Sequence, residues 1–248
     1  MMTTRTCCGR QFNAPQYSSW SLEANSHRNN MGAVQSGPTE HEFQDIADRT
    51  GFSLEQIRNL HKRFKWLNNH QETLRREDFE KVLNLSLNPI RAKIIQAFFD
   101  KRNFGMNEVG LVEEIGFEEF LTVMSYFKPP NKKLTEDETE ALRTKKLRFL
   151  FNMHDTDNDG TITLEEYRHL VEKLLSTCET LEQDTAQDIA DAAMLEVART
   201  TVVHMEPHEV YEGVTFEQFQ QILKGIELET KMNVRFLQVN TTTMHCGK

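Results

Sequence analysis

Between Asp155 and Glu166 the sequence reads DTDNDGTITLEE. Carboxylates stand at Asp155, Asp157 and Asp159, a glycine follows at Gly160, and a further carboxylate closes the run at Glu166. Oxygen at every second residue suits a hard cation: calcium takes roughly six to eight oxygen ligands at about 2.3–2.6 Å. The candidate ligands are Asp155, Asp157 and Asp159 through their side chains, Thr161 through its backbone carbonyl, and Glu166 through both carboxylate oxygens, with Thr163 acting through water. Gly160 takes the sharp turn that a Cβ opposes. The four carboxylates of Asp155, Asp157, Asp159 and Glu166 give the empty site a local charge of −4. A calcium ion relieves that mutual repulsion while clamping whatever precedes and follows the loop.

Those flanking segments are helical by period. Leu147, Leu150 and Phe151 lead in, and Leu164, Tyr167, Leu170, Val171 and Leu174 lead out. Helix, twelve-residue loop and helix make the EF-hand pattern, and Ile162 stands at the loop's eighth position, where the backbone of one loop pairs with that of another. The unit recurs. Ile57, Leu60, Phe64 and Leu67 form one helical face, opened by a capping pair at Ser53 and Gln56. Asn88-Pro89 reads as N-cap and first residue of a helix carrying Ile90, Ile94, Ile95, Phe98 and Phe99. Phe117, Phe120, Leu121, Met124 and Phe127 make another, stopped by Pro129-Pro130, and Phe216, Phe219, Ile222 and Leu223 a later one.

Aligned on the eighth position, three further loops are degenerate. One centres on Leu74 and puts Leu67 at the first ligand position, where no oxygen is offered. One centres on Ile115, but its first acid, Asp100, lies too far back for a twelve-residue loop. One centres on Val214 and puts Pro207 first and Gln218 last. Pairing through the eighth position predicts Leu74 beside Ile115 and Ile162 beside Val214. The fold class is therefore all-α: two lobes of paired helix-loop-helix units with short β bridges between loops. The boundaries are a disordered extension and leader over 1–52, an N-terminal lobe over 53–128, a linker over 129–137, a C-terminal lobe over 138–230 and a tail over 231–248. One working loop predicts one calcium and a graded response with a Hill slope near one; magnesium is an alternative occupant at rest.

Composition narrows the function classes. The 248 residues carry 29 Lys and Arg against 38 Asp and Glu, a net charge of −9. Nucleic-acid binding runs on neutralising phosphates, so this balance argues against it. Cys7, Cys8, Cys178 and Cys246 form no CxxC pair and read as free thiols. No apolar run approaches the roughly 20 residues of a membrane span. No nucleophile elbow, phosphate loop or metal-hydrolase spacing occurs, and His61, His70, His204 and His208 follow no ligand pattern, so the chain reads as a binding protein and not an enzyme.

The stretches LNPIRAKIIQAFFD, FEEFLTVMSYF, KLRFLFNMHDTDNDGTITLEEY, EPHEVYEGVTFEQF and ELETKMNVRFL resemble the calcineurin B homologous proteins, from about Met31 to the C-terminus. The resemblance implies two EF-hand lobes around a hydrophobic cleft, and a calcium-binding adaptor. Family members bind an amphipathic helix in the juxtamembrane cytoplasmic tail of plasma-membrane sodium/proton exchangers and support their maturation, surface stability and activity. Members are also linked to inhibition of the calcineurin phosphatase, and one branch keeps a single working calcium site in its third hand. A plain calcium buffer is the remaining alternative, an inefficient one with a single site. Met31-Gly32-Ala33-Val34-Gln35-Ser36 fits an N-myristoylation signal at the family's usual place, which makes Gly32 a candidate lipidation site. Gly32 is internal here, so acylation requires a start at Met31 or removal of the leader. A single myristoyl chain holds a membrane only marginally, so a partner or a basic patch must help. The implied location is cytoplasmic, peripheral at the plasma membrane, with the nucleus as a second site.

Overall fold

The computed structural model describes residues 40–240, without 87, 106–107, 131–133, 177–182, 202–210, 229–231, 233–234 and 237–238. Gly32, the leader and all four cysteines lie outside the described residues.

The first helix, α1 (Glu40–Thr50), falls inside the segment expected to be a disordered extension. Phe43, Ile46 and Ala47 share one face of it and are buried. Phe43 sits edge-on to His61 and Phe117, so the helix is ordered by the same aromatic core as the lobe that follows. Helix α2 (Leu54–Leu67) starts as its sequence demands: the Gln56 N–H donates to Ser53 Oγ at 3.2 Å, and the Ser53 N–H donates to Gln56 Oε1 at 2.9 Å. Its Ile57, Leu60, Phe64 and Leu67 are buried.

Strand β1 (Leu74–Arg75), a 3-10 turn (Arg76–Lys81) and α3 (Leu83–Ser86) lead to α4 (Arg91–Phe98). Asn88 Oδ1 accepts the Ile90 N–H at 3.0 Å, but the regular ladder starts at Arg91, later than Pro89 suggested. The cause is a tight turn between them, closed by the Arg91 N–H on the Asn88 carbonyl at 3.0 Å. A second 3-10 turn (Lys101–Phe104), β2 (Glu114–Ile115) and α5 (Phe117–Ser125) complete the N-terminal half. β1 and β2 pair antiparallel with Leu74 opposite Ile115, as the eighth-position alignment requires. Phe64, Phe79, Phe98, Phe99 and Phe120 are enclosed side by side; each contributes roughly 1.5–3 kcal/mol by leaving water.

Helix α6 (Glu136–His154) begins within the segment read as a linker, because Thr135 and Glu138 form a capping box that opens it there. α6 belongs to both halves. Phe149 and Met153 pack into the N-terminal core, while Leu147 and Phe151 pack with Ile162, Met194, Val214 and Phe216 in a second core. That second core is framed by β3 (Thr161–Thr163), α7 (Leu164–Leu175), α8 (Gln183–Thr201), β4 (Gly213–Thr215) and α9 (Phe216–Ile222). β3 and β4 pair antiparallel with Ile162 opposite Val214. Gly213 faces Thr163 so closely that a Cβ there would lie 2.6 Å from the Ile162 carbonyl oxygen. In the segment read as a tail, Met232 is buried in the N-terminal core, and β5 (Arg235–Phe236) pairs with β6 (Val239–Asn240). The architecture is helical, with EF-hand loops joined in pairs by short antiparallel bridges.

Candidate metal centre

The loop leaves α6 at Asp155, whose N–H still donates to the Phe151 carbonyl at 2.9 Å. Asn158 at φ 68° and Gly160 at φ 91° supply the left-handed residues that coil the chain back on itself. Short side-chain bonds fix the coil. The Asp159 N–H donates to Asp157 Oδ1 at 3.2 Å, and the Thr161 N–H and Oγ1 donate to Asp159 Oδ1 at 2.7 and 2.8 Å. Carboxylate oxygens of Asp155, Asp157 and Asp159 thereby lie within 4.8 Å of one another.

Asp155 is 2% exposed, and its Oδ1 accepts no hydrogen bond from the described residues. Burial raises its carboxyl above the usual aspartate value, and the Arg102 cation opposes that rise. An enclosed, unpartnered carboxylate oxygen beside two more carboxylates is a donor set that fits an oxygen-seeking cation. Asp155, Asp157 and Asp159 would hold it by their side chains, with Thr161 and Glu166 completing the shell. Such a cation supplies charge neutralisation at one point where α6 and α7 meet.

Glu166 stands apart from the acidic trio. Its Oε1 accepts from the Thr156 N–H and Oγ1, both at 2.5 Å, and its Oε2 accepts from the Thr163 N–H at 3.0 Å and Oγ1 at 3.1 Å. Burial works against its charge, but the bonds from Thr156 and Thr163 prevail and hold its carboxyl below the usual glutamate value. Thr163, read as a water-mediated ligand, is the N-cap of α7 and accepts the Glu166 N–H at 3.3 Å.

Sequence reasoning missed the polar junction beneath the loop. Arg102, from the 3-10 turn of the second, degenerate hand, donates through Nη1 to Asp155 Oδ2 at 3.0 Å and through Nη2 to the Asp155 and Asn152 carbonyls at 2.9 and 2.8 Å. It also grips Asp100, with Nη2 to Oδ2 at 2.7 Å. Next to it, buried Asn103 donates to the Ala97 carbonyl at 2.9 Å, accepts from Asn152 at 3.0 Å, and its carbonyl accepts from the Tyr126 hydroxyl at 3.0 Å. Lys93 of α4 is near enough to feel the Glu166 charge, though burial dominates and lowers its pKa. The signal in the sequence was Arg102 two residues after the stranded Asp100.

Two residues that the alignment puts at ligand positions of the degenerate loops serve other roles. Leu67 has no exposed surface and belongs to the core. Gln218 closes a capping box by accepting the Thr215 N–H at 2.9 Å. Pro207 lies outside the described residues.

Residues 146–174 match the EF hand domain family. The chain is 51% identical over 214 residues to calcineurin B homologous protein 3 of Homo sapiens, spanning 86% of this chain and 99% of that protein. It is 50% identical over 216 residues to the same-named protein of Gallus gallus, spanning 87% of this chain and all of that one. Calcineurin B of Naegleria gruberi is more distant, 25% identical over 207 residues, spanning 83% of this chain and 99% of that protein.

Proposed function

The chain belongs to the calcineurin B homologous protein family, and from that premise we propose that this calcium-binding regulatory protein is an adaptor for a sodium/proton exchanger, of the tescalcin branch. It takes one calcium at Asp155, Asp157, Asp159, Thr161 and Glu166, and binds an amphipathic helix in the cytoplasmic tail of a plasma-membrane exchanger. Through that contact it promotes the exchanger's maturation, surface stability and activity, and so the regulation of intracellular pH. It acts at the cytoplasmic face of the membrane, with myristate on Gly32 as auxiliary anchor when translation starts at Met31, and with a nuclear pool.

The observation that carries the calcium half is the acidic trio within 4.8 Å, with Asp155 Oδ1 enclosed and unpaired among the described residues. The partner half is supported by family membership across nearly the full length of the relatives. Apolar side chains left exposed on the C-terminal half agree with it: Leu174 of α7, Ile189 and Leu195 of α8, Ile222 of α9 and Ile226 beyond it. Amphipathic helices dock by laying apolar anchors on such surfaces. A second reading, calcium-dependent inhibition of calcineurin, rests on the similarity to calcineurin B. Titration calorimetry with calcium, then with a peptide of the exchanger's juxtamembrane helix, tests the first reading. One calcium and saturable peptide binding are expected; no peptide binding in either the presence or the absence of calcium refutes the adaptor role. A phosphatase assay on purified calcineurin tests the second.

A further inference from the structure

The guanidinium of Arg102 stands between two buried carboxylates that belong to different hands. Asp100 is the first acid of the degenerate second loop, and Arg102 follows it at the spacing a second ligand would have. Its Nε lies 3.1 and 3.0 Å from the two Asp100 oxygens, and Nη2 lies 2.7 Å from Oδ2. The dead loop's acid is thus satisfied by a cation covalently tied to the loop itself. The same group reaches the live loop, donating to Asp155 Oδ2 and to the Asp155 carbonyl. Asp100 is 5% exposed and Asp155 2%. Charges that deep need a counter-ion, and among the described residues the cation bonded to Asp155 is Arg102. It takes the outer oxygen of Asp155 and leaves Oδ1 to the acidic trio.

We propose that Arg102 is a resident counter-ion of the calcium loop, supplied by the neighbouring degenerate hand, which neutralises Asp155 before calcium arrives and sets how tightly calcium is held. The inference rests on the calcium reading above. A calcium on Oδ1 of Asp155 stands roughly 5–7 Å from the guanidinium, since the 3.0 Å bond is to the other oxygen, Oδ2, and the ligand distance is about 2.4 Å. A double charge facing a single one at that range weakens binding by at least the order of tenfold, the value for full solvent screening. By linkage, calcium loosens the hold of Arg102 on Asp155 by the same factor. The second hand, which binds nothing of its own, thereby senses the occupancy of the third.

The test is calcium titration calorimetry on the decalcified full chain, paired with thermal melts in chelator and in calcium. Arg102→Met keeps the length and removes the charge; it should bind calcium about tenfold more tightly, and its melting point should fall more in chelator than in calcium. Arg102→Lys keeps the charge and should stay within about threefold of the wild type. Asp100→Asn, which leaves the guanidinium to Asp155 alone, should weaken calcium binding, the opposite direction, and keeps the idea testable should Arg102→Met fold poorly. Arg102→Met with wild-type or weaker affinity, and equal loss of melting point in both conditions, would make Arg102 a structural brace and overturn the proposal while the calcium site stands. A wild-type chain that takes up no calcium overturns both.

Discussion

His154, the last residue of α6, offers a stability switch whose size follows from its surroundings. Its Nδ1 is enclosed and has no hydrogen-bond partner among the described residues. Burial, aided by the Lys93 charge and opposed by that of Glu166, pushes its pKa from 6.5 down to about 4. A base whose folded pKa is depressed stabilises the fold fully above its unfolded pKa, and loses that contribution as pH falls through the window between the two values. The drop from 6.5 to about 4, at about 1.36 kcal/mol per pH unit, puts the whole loss near 3 kcal/mol across that window. From pH 7 to pH 5 the loss is about 2 kcal/mol. Urea denaturation followed by circular dichroism, in metal-free buffer, measures it against His154→Phe, which keeps a ring and cannot titrate. Titrating carboxylates act on both proteins and cancel in the difference. The wild type should lose about 2 kcal/mol more than the variant over that interval. Equal losses would show that the ring reaches water readily and that the enclosure of Nδ1 has no energetic consequence.

Glu166→Gln should abolish calcium binding in the micromolar range by calorimetry, since the amide keeps the Thr163 cap but offers the cation no charge. Gly213→Ala should cost about 1–3 kcal/mol in urea unfolding, because a Cβ 2.6 Å from the Ile162 carbonyl oxygen forces β3 and β4 apart. Phe120→Ala, at a side chain with no exposed surface, should cost about 3–5 kcal/mol while leaving calcium stoichiometry unchanged.

The elements that repeat a strong local signal were legible from residues alone. Ser53 with Gln56 marks a helix start because hydroxyl and amide each find a free backbone N–H three residues away, and that chemistry is local. The opposition of Leu74 to Ile115 and of Ile162 to Val214 follows from one aligned position, although the partners are far apart in sequence. Asp155, Asp157 and Asp159 were legible as a cluster because alternate residues of a coiled loop converge. What escaped depends on tertiary contact. Helix α1 carries too few apolar residues to announce itself, and its order comes from Phe43 meeting His61 and Phe117. Glu136 and Asp137 look like linker until Thr135 is seen to cap them. Arg102 offered only a charge two residues after Asp100, in a loop too long for the twelve-residue template, and its partner lies 53 residues away.

The twelfth position of each loop explains why degenerate hands keep polar residues there. In the four hands, Asp78, Glu119, Glu166 and Gln218 each accept the backbone N–H of the residue three before, at Arg75, Gly116, Thr163 and Thr215. The position has two tasks, closing a helix start and completing a metal shell. Only the second requires a bidentate carboxylate; the first is met by Asp or Gln equally. Loss of calcium from a hand therefore removes any need for a first-position acid, yet leaves the twelfth position under demand from the helix it opens. The same division holds at the eighth position, where Leu74 and Val214 still pair backbones although their own loops lack a full ligand set in the sequence. A degenerate hand is thus free to change its ligands and is held to its frame. In the second hand the Arg102 guanidinium occupies Asp100 and reaches across to Asp155 of the third hand's loop.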